Sequence, residues 1–171
     1  MAILKIYKYG EEILAKKTNR INFNSMEKKL PKIIKDMSET CLMMDGVGLA
    51  APQIGLDIAL AVIMLPQKEE GNYKRYILIN PEITHKKGKV LSEEGCLSFP
   101  GLGVQIERAT EVKVKYLDER GLPVELIAKG FLAIILQHEI DHLNGKTFID
   151  NLPKVAKEKA LKDIEELSKE W

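Results

Sequence analysis

Phe131-Leu-Ala-Ile-Ile-Leu-Gln-His-Glu-Ile-Asp-His142 decides how the rest of the chain reads. Its first six residues are apolar, and His138-Glu139-Ile140-Asp141-His142 then spells HExxH. Residues four apart turn about 400° around a helix of ~3.6 residues per turn, so both imidazoles leave one face. Two such imidazoles can grip one divalent metal, and Glu139 beside them can take a proton from water on that metal. Ionisable groups within an apolar helix need partners, and a metal is the natural one. The stretch therefore predicts a helix running through the core with a metal site on one face.

The third ligand is less direct. The chain follows HExxHxxGxxH as far as Gly145, then places Phe148 where the third histidine would stand, and no histidine follows His142. A downstream glutamate is one alternative, with Glu158, Glu165 and Glu166 on offer. Upstream stand His85, Cys41 and Cys96. His85 lies in the polar stretch Ile83-Thr-His-Lys-Lys-Gly-Lys89, predicted as a solvated hairpin tip. Cys41 falls among Met37, Leu42 and Met43 at helical spacing, where a free thiol acts as a small buried hydrophobe. Cys96 stands in Glu93-Glu-Gly-Cys-Leu-Ser-Phe-Pro100, where Gly95 and Pro100 mark irregular backbone suited to presenting one thiolate. Cysteine plus two histidines leaves a coordination position open, as catalytic rather than structural sites do.

At 171 residues the chain is read as one domain over 1–171, long enough to bury a core. An apolar fraction of 45% with 30% charged residues is that of a soluble globular protein. A net charge of +1 gives no reason to expect DNA as a partner. Two cysteines argue against a disulfide framework and for a reducing compartment. Lysines interrupt Met1–Gly10, so no secretory leader is read there. No run approaches the ~20 apolar residues that span a bilayer. The compartment read from these features is the cytoplasm, with no membrane partner.

Met26, Leu30, Ile33, Ile34, Met37 and Cys41 recur at helical spacing from Ser25 to Met44. Pro31 inside that pattern predicts that the regular helix begins near it. Asp45-Gly46 is the expected stop. Short strands are predicted at 59–65, 76–80, 104–106, 111–117 and 124–128. Val112, Val114 and Tyr116 alternate there with Lys113 and Lys115, a half-buried antiparallel pattern. Asn144-Gly145 ends the metal helix, and a last helix from about Pro153 carries Ala160, Ile164, Leu167 and Trp171 as one stripe. Central strands flanked by helices predict an α+β fold: antiparallel strands packed around the HExxH helix, with a C-terminal helix.

Gly46-Val-Gly48-Leu-Ala-Ala51 also fits the dinucleotide fingerprint, but a helix precedes it and Pro52 follows, the wrong context for a nucleotide. Its glycines suit the close approach of an extended substrate backbone, with Gln53 supplying an amide donor.

Taken together and in order, Gly46-Val-Gly-Leu-Ala-Ala-Pro-Gln53, Glu94-Gly-Cys-Leu-Ser98 and His138-Glu-Ile-Asp-His142 resemble the three motifs of bacterial-type peptide deformylases. The resemblance covers nearly the whole chain. It implies a metal-dependent hydrolase that removes the N-formyl group from the initiator methionine of new polypeptides and releases formate. It implies one divalent ion on Cys96, His138 and His142, Fe(II) by preference, with Zn(II), Ni(II) or Co(II) also accepted. Glu139 is then the general base and acid in the attack of metal-bound water on the formyl carbon. Gln53 and the Leu97 N–H form the oxyanion hole.

By the same resemblance Val47, Phe131, Ile134 and Ile135 line a methionine pocket, while Gly48 and Gly95 lie along the substrate backbone. Glu94 and Asp141 are candidates to accept the outer N–H groups of the histidines, with Arg108 as partner to either. Gly103 departs from a common pattern that has arginine near the substrate backbone. Lys154, Lys157, Lys159 and Lys162 lie on a helix that docks on the ribosome in some members, which implies a weak basic contact with ribosomal RNA. The rival readings are a zinc endopeptidase with a downstream glutamate ligand and a structural-metal module. The second leaves Glu139 without a purpose.

Overall fold

The computed structural model of the chain describes residues 3–67 and 71–171. Met1 and Ala2, part of the stretch read above for a leader, lie outside the described residues. A one-turn helix α1 (Phe23–Met26) precedes α2 (Leu30–Met43), which has Pro31 in its first turn where no intrahelical N–H is lost. Leu30, Ile34, Met37 and Cys41 bury one face of α2. The residue that turns left-handed at its end is Asp45, with φ 53°, and not the glycine expected there. The N–H of Gly46 caps the Cys41 carbonyl at 2.9 Å.

The strands follow as β1 (Gly48–Ala50), β2 (Leu60–Pro66), β3 (Tyr73–Lys87), β4 (Val90–Gly95), β5 (Gly103–Arg108), β6 (Glu111–Leu117) and β7 (Pro123–Lys129). All pair antiparallel, in a five-stranded sheet of order β1-β2-β3-β6-β7 and a two-stranded sheet β4-β5. The expected 111–117 strand appears unchanged. Two strands were not expected: β1, three residues long, and β4.

β3 corrects a further expectation. It runs on past residue 80 through His85, which pairs with Lys113 and is exposed, so His85 is not at a hairpin tip. The extension follows a bulge at Asn80, where φ is 53°. Asn80 tolerates that geometry because its amide is satisfied twice, accepting from the Ile21 N–H at 2.7 Å and donating to the Ile21 carbonyl at 2.8 Å.

The HExxH stretch forms α3 (Gly130–Leu143), followed by α4 (Lys154–Leu167). The large sheet lies between α2 and α3. Leu60 and Val62 of β2 join the α2 side, whereas Ala61 and Ile63 join the α3 side. Buried on both faces, β2 reads as an unbroken apolar run. Leu136, fully buried on α3, belongs to the second layer. Truncating such a residue to alanine costs about 2–5 kcal/mol. A third cluster packs Phe99, Leu102 and Ile106 against Phe148, Ile149, Ala160 and Ile164, so α4 backs the segment after β4. Among the described residues no helix is long and apolar enough to cross a membrane.

Candidate metal centre

α3 delivers three reactive groups, His138, Glu139 and His142, all buried. The two imidazole centroids are 5.0 Å apart. Cys96 enters from the turn after β4, with its Sγ 3.3 Å from His142 Nε2. One ligand atom from each of Cys96, His138 and His142 falls within 4.8 Å of the others, the one such group of three among the described residues.

The alternative ligands stand apart from it. His85 is exposed on β3, and Glu158, Glu165 and Glu166 are exposed on α4. Cys41 is fully buried, with its thiol donating to the Gly46 carbonyl at 3.2 Å. Burial, then the charge of Glu139, push that thiol up to about 12. Phe148 stacks against the His138 ring at 5.8 Å between centroids.

A chain of buried charges holds His138 from behind. Its Nδ1 lies 2.8 Å from Glu94 Oε2. Arg108 donates to Glu94 through Nε at 2.7 Å and Nη2 at 3.0 Å, and to Asp141 through Nη1 at 2.6 Å. Glu94 therefore takes the place expected of it, while Asp141 pairs with Arg108 and accepts from the Asn151 amide at 2.8 Å. The carboxylate of Asp141 is drawn to the guanidinium, and His142 Nδ1 has no hydrogen-bond partner.

Burial alone would raise the Glu94 carboxyl, but hydrogen bonds with His138 and Arg108 hold it below the ordinary value. Burial likewise opposes a charge on His138, yet hydrogen bonds to Cys96 and Glu94 keep its value well above that of a free imidazole. Burial, then the charges of His138 and Arg108, hold His142 well below it. Burial pushes Glu139 up to about 7, Glu94 adding to the rise while His138 and Arg108 oppose it. Glu139 Oε2 is buried with no partner. One sulfur and two imidazoles form a donor set that fits a divalent cation with an open position, and the unpartnered Glu139 oxygen lies beside it.

The other half of the site is backbone and amide. A Cβ at Gly48 would collide with the Glu139 carboxylate, so only glycine leaves that carboxylate its place. Gln53 Oε1 accepts from the Ala50 N–H at 2.8 Å, which fixes the amide so that Nε2 donates to Ser98 Oγ at 3.2 Å and Cys96 Sγ at 3.3 Å. Lys8 Nζ donates to the Leu97 carbonyl at 2.8 Å. Partial burial lowers the Lys8 value, and the nearby Cys96 opposes that shift.

A cavity of about 600 Å³ opens on these groups, lined by Cys96, His138, Glu139, Gln53 and Leu97. Val47, Gly48, Gly95, Phe131, Ile134 and Ile135 also line it, as does Gly103. The contributions of Lys8 and Asn151 had no signal in the sequence. Each is an ordinary residue whose partner is distant in the chain or known only from the fold.

Comparison with known proteins points the same way. The family model for polypeptide deformylase matches residues 3–158. A peptide deformylase of Elusimicrobium minutum is 51% identical over 100% of this chain and 99% of its own length. A crystal structure of a peptide deformylase from Legionella pneumophila superposes with a TM-score of 0.88 at 39% identity, covering 98% of this chain and 96% of that one. One from Thermus thermophilus gives 0.86 at 38%, covering 98% and 99%.

Proposed function

The chain belongs to the polypeptide deformylase family, and from that premise we propose that it removes the formyl group from N-terminal formyl-methionine at a centre built from Cys96, His138 and His142. The observation that carries this reading is the convergence of those three ligand atoms beside the unpartnered Glu139 oxygen in one cavity. A divalent cation on the three ligands, with Fe(II) the proposed native ion and Zn(II), Ni(II) or Co(II) able to replace it, supplies Lewis acidity that acidifies water and polarises the formyl oxygen.

Glu139 takes the proton of the attacking water and returns it to the departing α-amine. Its Oε2 is buried with no partner among the described residues, so it is free to take and return that proton. Charge that gathers on the formyl oxygen meets the Leu97 N–H and Gln53 Nε2. Gln53 is held ready by the Ala50 N–H, which donates to its Oε1 at 2.8 Å. Donors of this kind contribute about 10²–10³ each in kcat.

Val47, Phe131, Ile134 and Ile135 take the methionine side chain. Gly48 lies on β1, an edge of the large sheet, and Gly95 ends β4, so an extended peptide fits along backbone with unused hydrogen-bonding groups. The whole described chain serves this one catalytic domain in the cytoplasm, and the lysine-bearing α4 is the surface for a weak contact with ribosomal RNA. The test is formate release from a formyl-Met tripeptide by metal-loaded protein, assayed beside internal peptide-bond cleavage. Formate without internal cleavage supports the reading, and internal cleavage alone refutes it.

A further inference from the structure

Gln53 and Ser98 come from distant parts of the chain, the first just after β1 and the second two residues beyond Cys96, and both are buried. One short N-terminal segment fastens them to each other. The Tyr7 N–H donates to the Gln53 carbonyl at 2.8 Å, and the Tyr9 N–H donates to the Ser98 carbonyl at 3.0 Å. The Lys8 ammonium donates at 2.8 Å to the Leu97 carbonyl, which belongs to the Leu97–Ser98 peptide. Both peptides that flank Ser98 are therefore held, and its side chain stands on a fixed root. From that root Ser98 Oγ accepts from Gln53 Nε2 at 3.2 Å. Gln53 lines the cavity whereas Ser98, fully buried, does not, so the hydroxyl reaches the site only through the amide.

We infer that Ser98 is a positioning residue of the reaction, setting the plane of the Gln53 amide so that its remaining N–H is aimed where the formyl oxygen becomes negative; this rests on the deformylase reading. The reason is geometric. A primary amide carries one acceptor oxygen and two N–H donors in a single plane. The Ala50 N–H holds Oε1 at 2.8 Å, and one contact alone leaves the amide free to pivot about it. Ser98 supplies a second contact at the other end by taking one N–H. The other N–H is then directed to the Cys96 side, where Nε2 stands 3.3 Å from Sγ, beside the cluster of ligand atoms. Preorganised donors act because no reorganisation is needed at the moment of reaction. An amide left to pivot is therefore felt in the transition state rather than in substrate binding.

The experiment is a double-mutant cycle on metal-loaded protein: wild type, Ser98→Ala, Gln53→Leu and the pair together. It measures kcat and KM for formate release from a formyl-Met tripeptide, with metal content and Tm as controls. Losing the brace while keeping the donor should cost less than losing the donor, so kcat of Ser98→Ala should fall about tenfold. KM and metal stoichiometry should stay within about twofold. In the Gln53→Leu background, where no amide remains to be aimed, Ser98→Ala should change kcat by less than about twofold. The inference is overturned by an unchanged kcat in Ser98→Ala, by a rise in KM alone, or by the same loss in both backgrounds. Should either variant not fold, Ser98→Gly or Gln53→Met takes its place under the same criteria. Wild-type protein that releases no formate overturns the deformylase reading and this inference with it. Active wild type with an indifferent Ser98→Ala overturns this inference alone.

Discussion

Gly48 and Glu139 share one corner of the site: a β-carbon on the first would stand inside the carboxylate of the second. The obstructed atoms belong to the end of a side chain, so the protein can fold by swinging Glu139 aside. Gly48→Ala should therefore lose about 10²-fold in kcat, the range of a lost general base. Metal content should hold, and Tm should move by only a few degrees. Glu139→Gln should give the same profile for the same reason. A Gly48→Ala enzyme within threefold of wild type would show that the carboxylate does not need that corner.

The two cysteines should differ sharply towards an alkylating reagent. Burial raises the Cys41 thiol to about 12, leaving almost no thiolate at pH 8, and its sulfur is fully buried. Cys96 lies at the cavity wall. Metal-free protein treated with iodoacetamide should be labelled once, at Cys96, and metal-loaded protein not at all, as read by mass spectrometry of peptides. Labelling of Cys41 at a comparable rate in folded protein would contradict the burial argument.

The Arg108 bridge between Glu94 and Asp141 predicts both a mutational cost and a pH dependence. Arg108→Met leaves the buried Glu94 carboxylate without its guanidinium partner and should destabilise by about 3–5 kcal/mol in urea. The Glu94 carboxyl sits below its ordinary value in the folded protein. Its stabilising contribution is thus present above the unfolded value of about 4.3 and is lost as pH falls through the lower folded value. Measured by urea titration from pH 5 downward, the stability gap between wild type and Glu94→Gln should therefore close below about 4. A gap that widens on acidification would reverse the sign and refute the bridge as its source.

The parts of this site that were legible in the sequence carry periodic or compositional signals. The α3 stretch is apolar at every turn until its histidines, and Cys96 stands between a glycine and a proline. Strand β4 was hidden for a physical reason: its inward-facing residue is Glu94, a carboxylate whose burial makes sense only beside Arg108 on β5. An inward acid breaks the alternation that marks a strand. Strand β1 is too short to show a period, and the far half of β3 is polar because it is held by pairing with β6 over an exposed face. At the end of α2 the glycine rule pointed to Gly46, but the left-handed residue is Asp45. Gly46 is small for another reason, since a Cβ there would press on the Cys41 carbonyl and on Leu97, both at 3.2 Å. Lys8 lies where no local pattern could connect it to Leu97.

The central claim is that one metal is held by Cys96, His138 and His142, and removing the sulfur tests it most directly. Cys96→Ala, purified anaerobically beside wild type and loaded with the same metal, should stay folded, with an unchanged far-ultraviolet dichroism spectrum. Elemental analysis should find it with a small fraction of an equivalent of metal where wild type holds about one, because two imidazoles alone bind a divalent ion weakly. A full equivalent retained by Cys96→Ala would contradict the three-ligand centre and the account built on it.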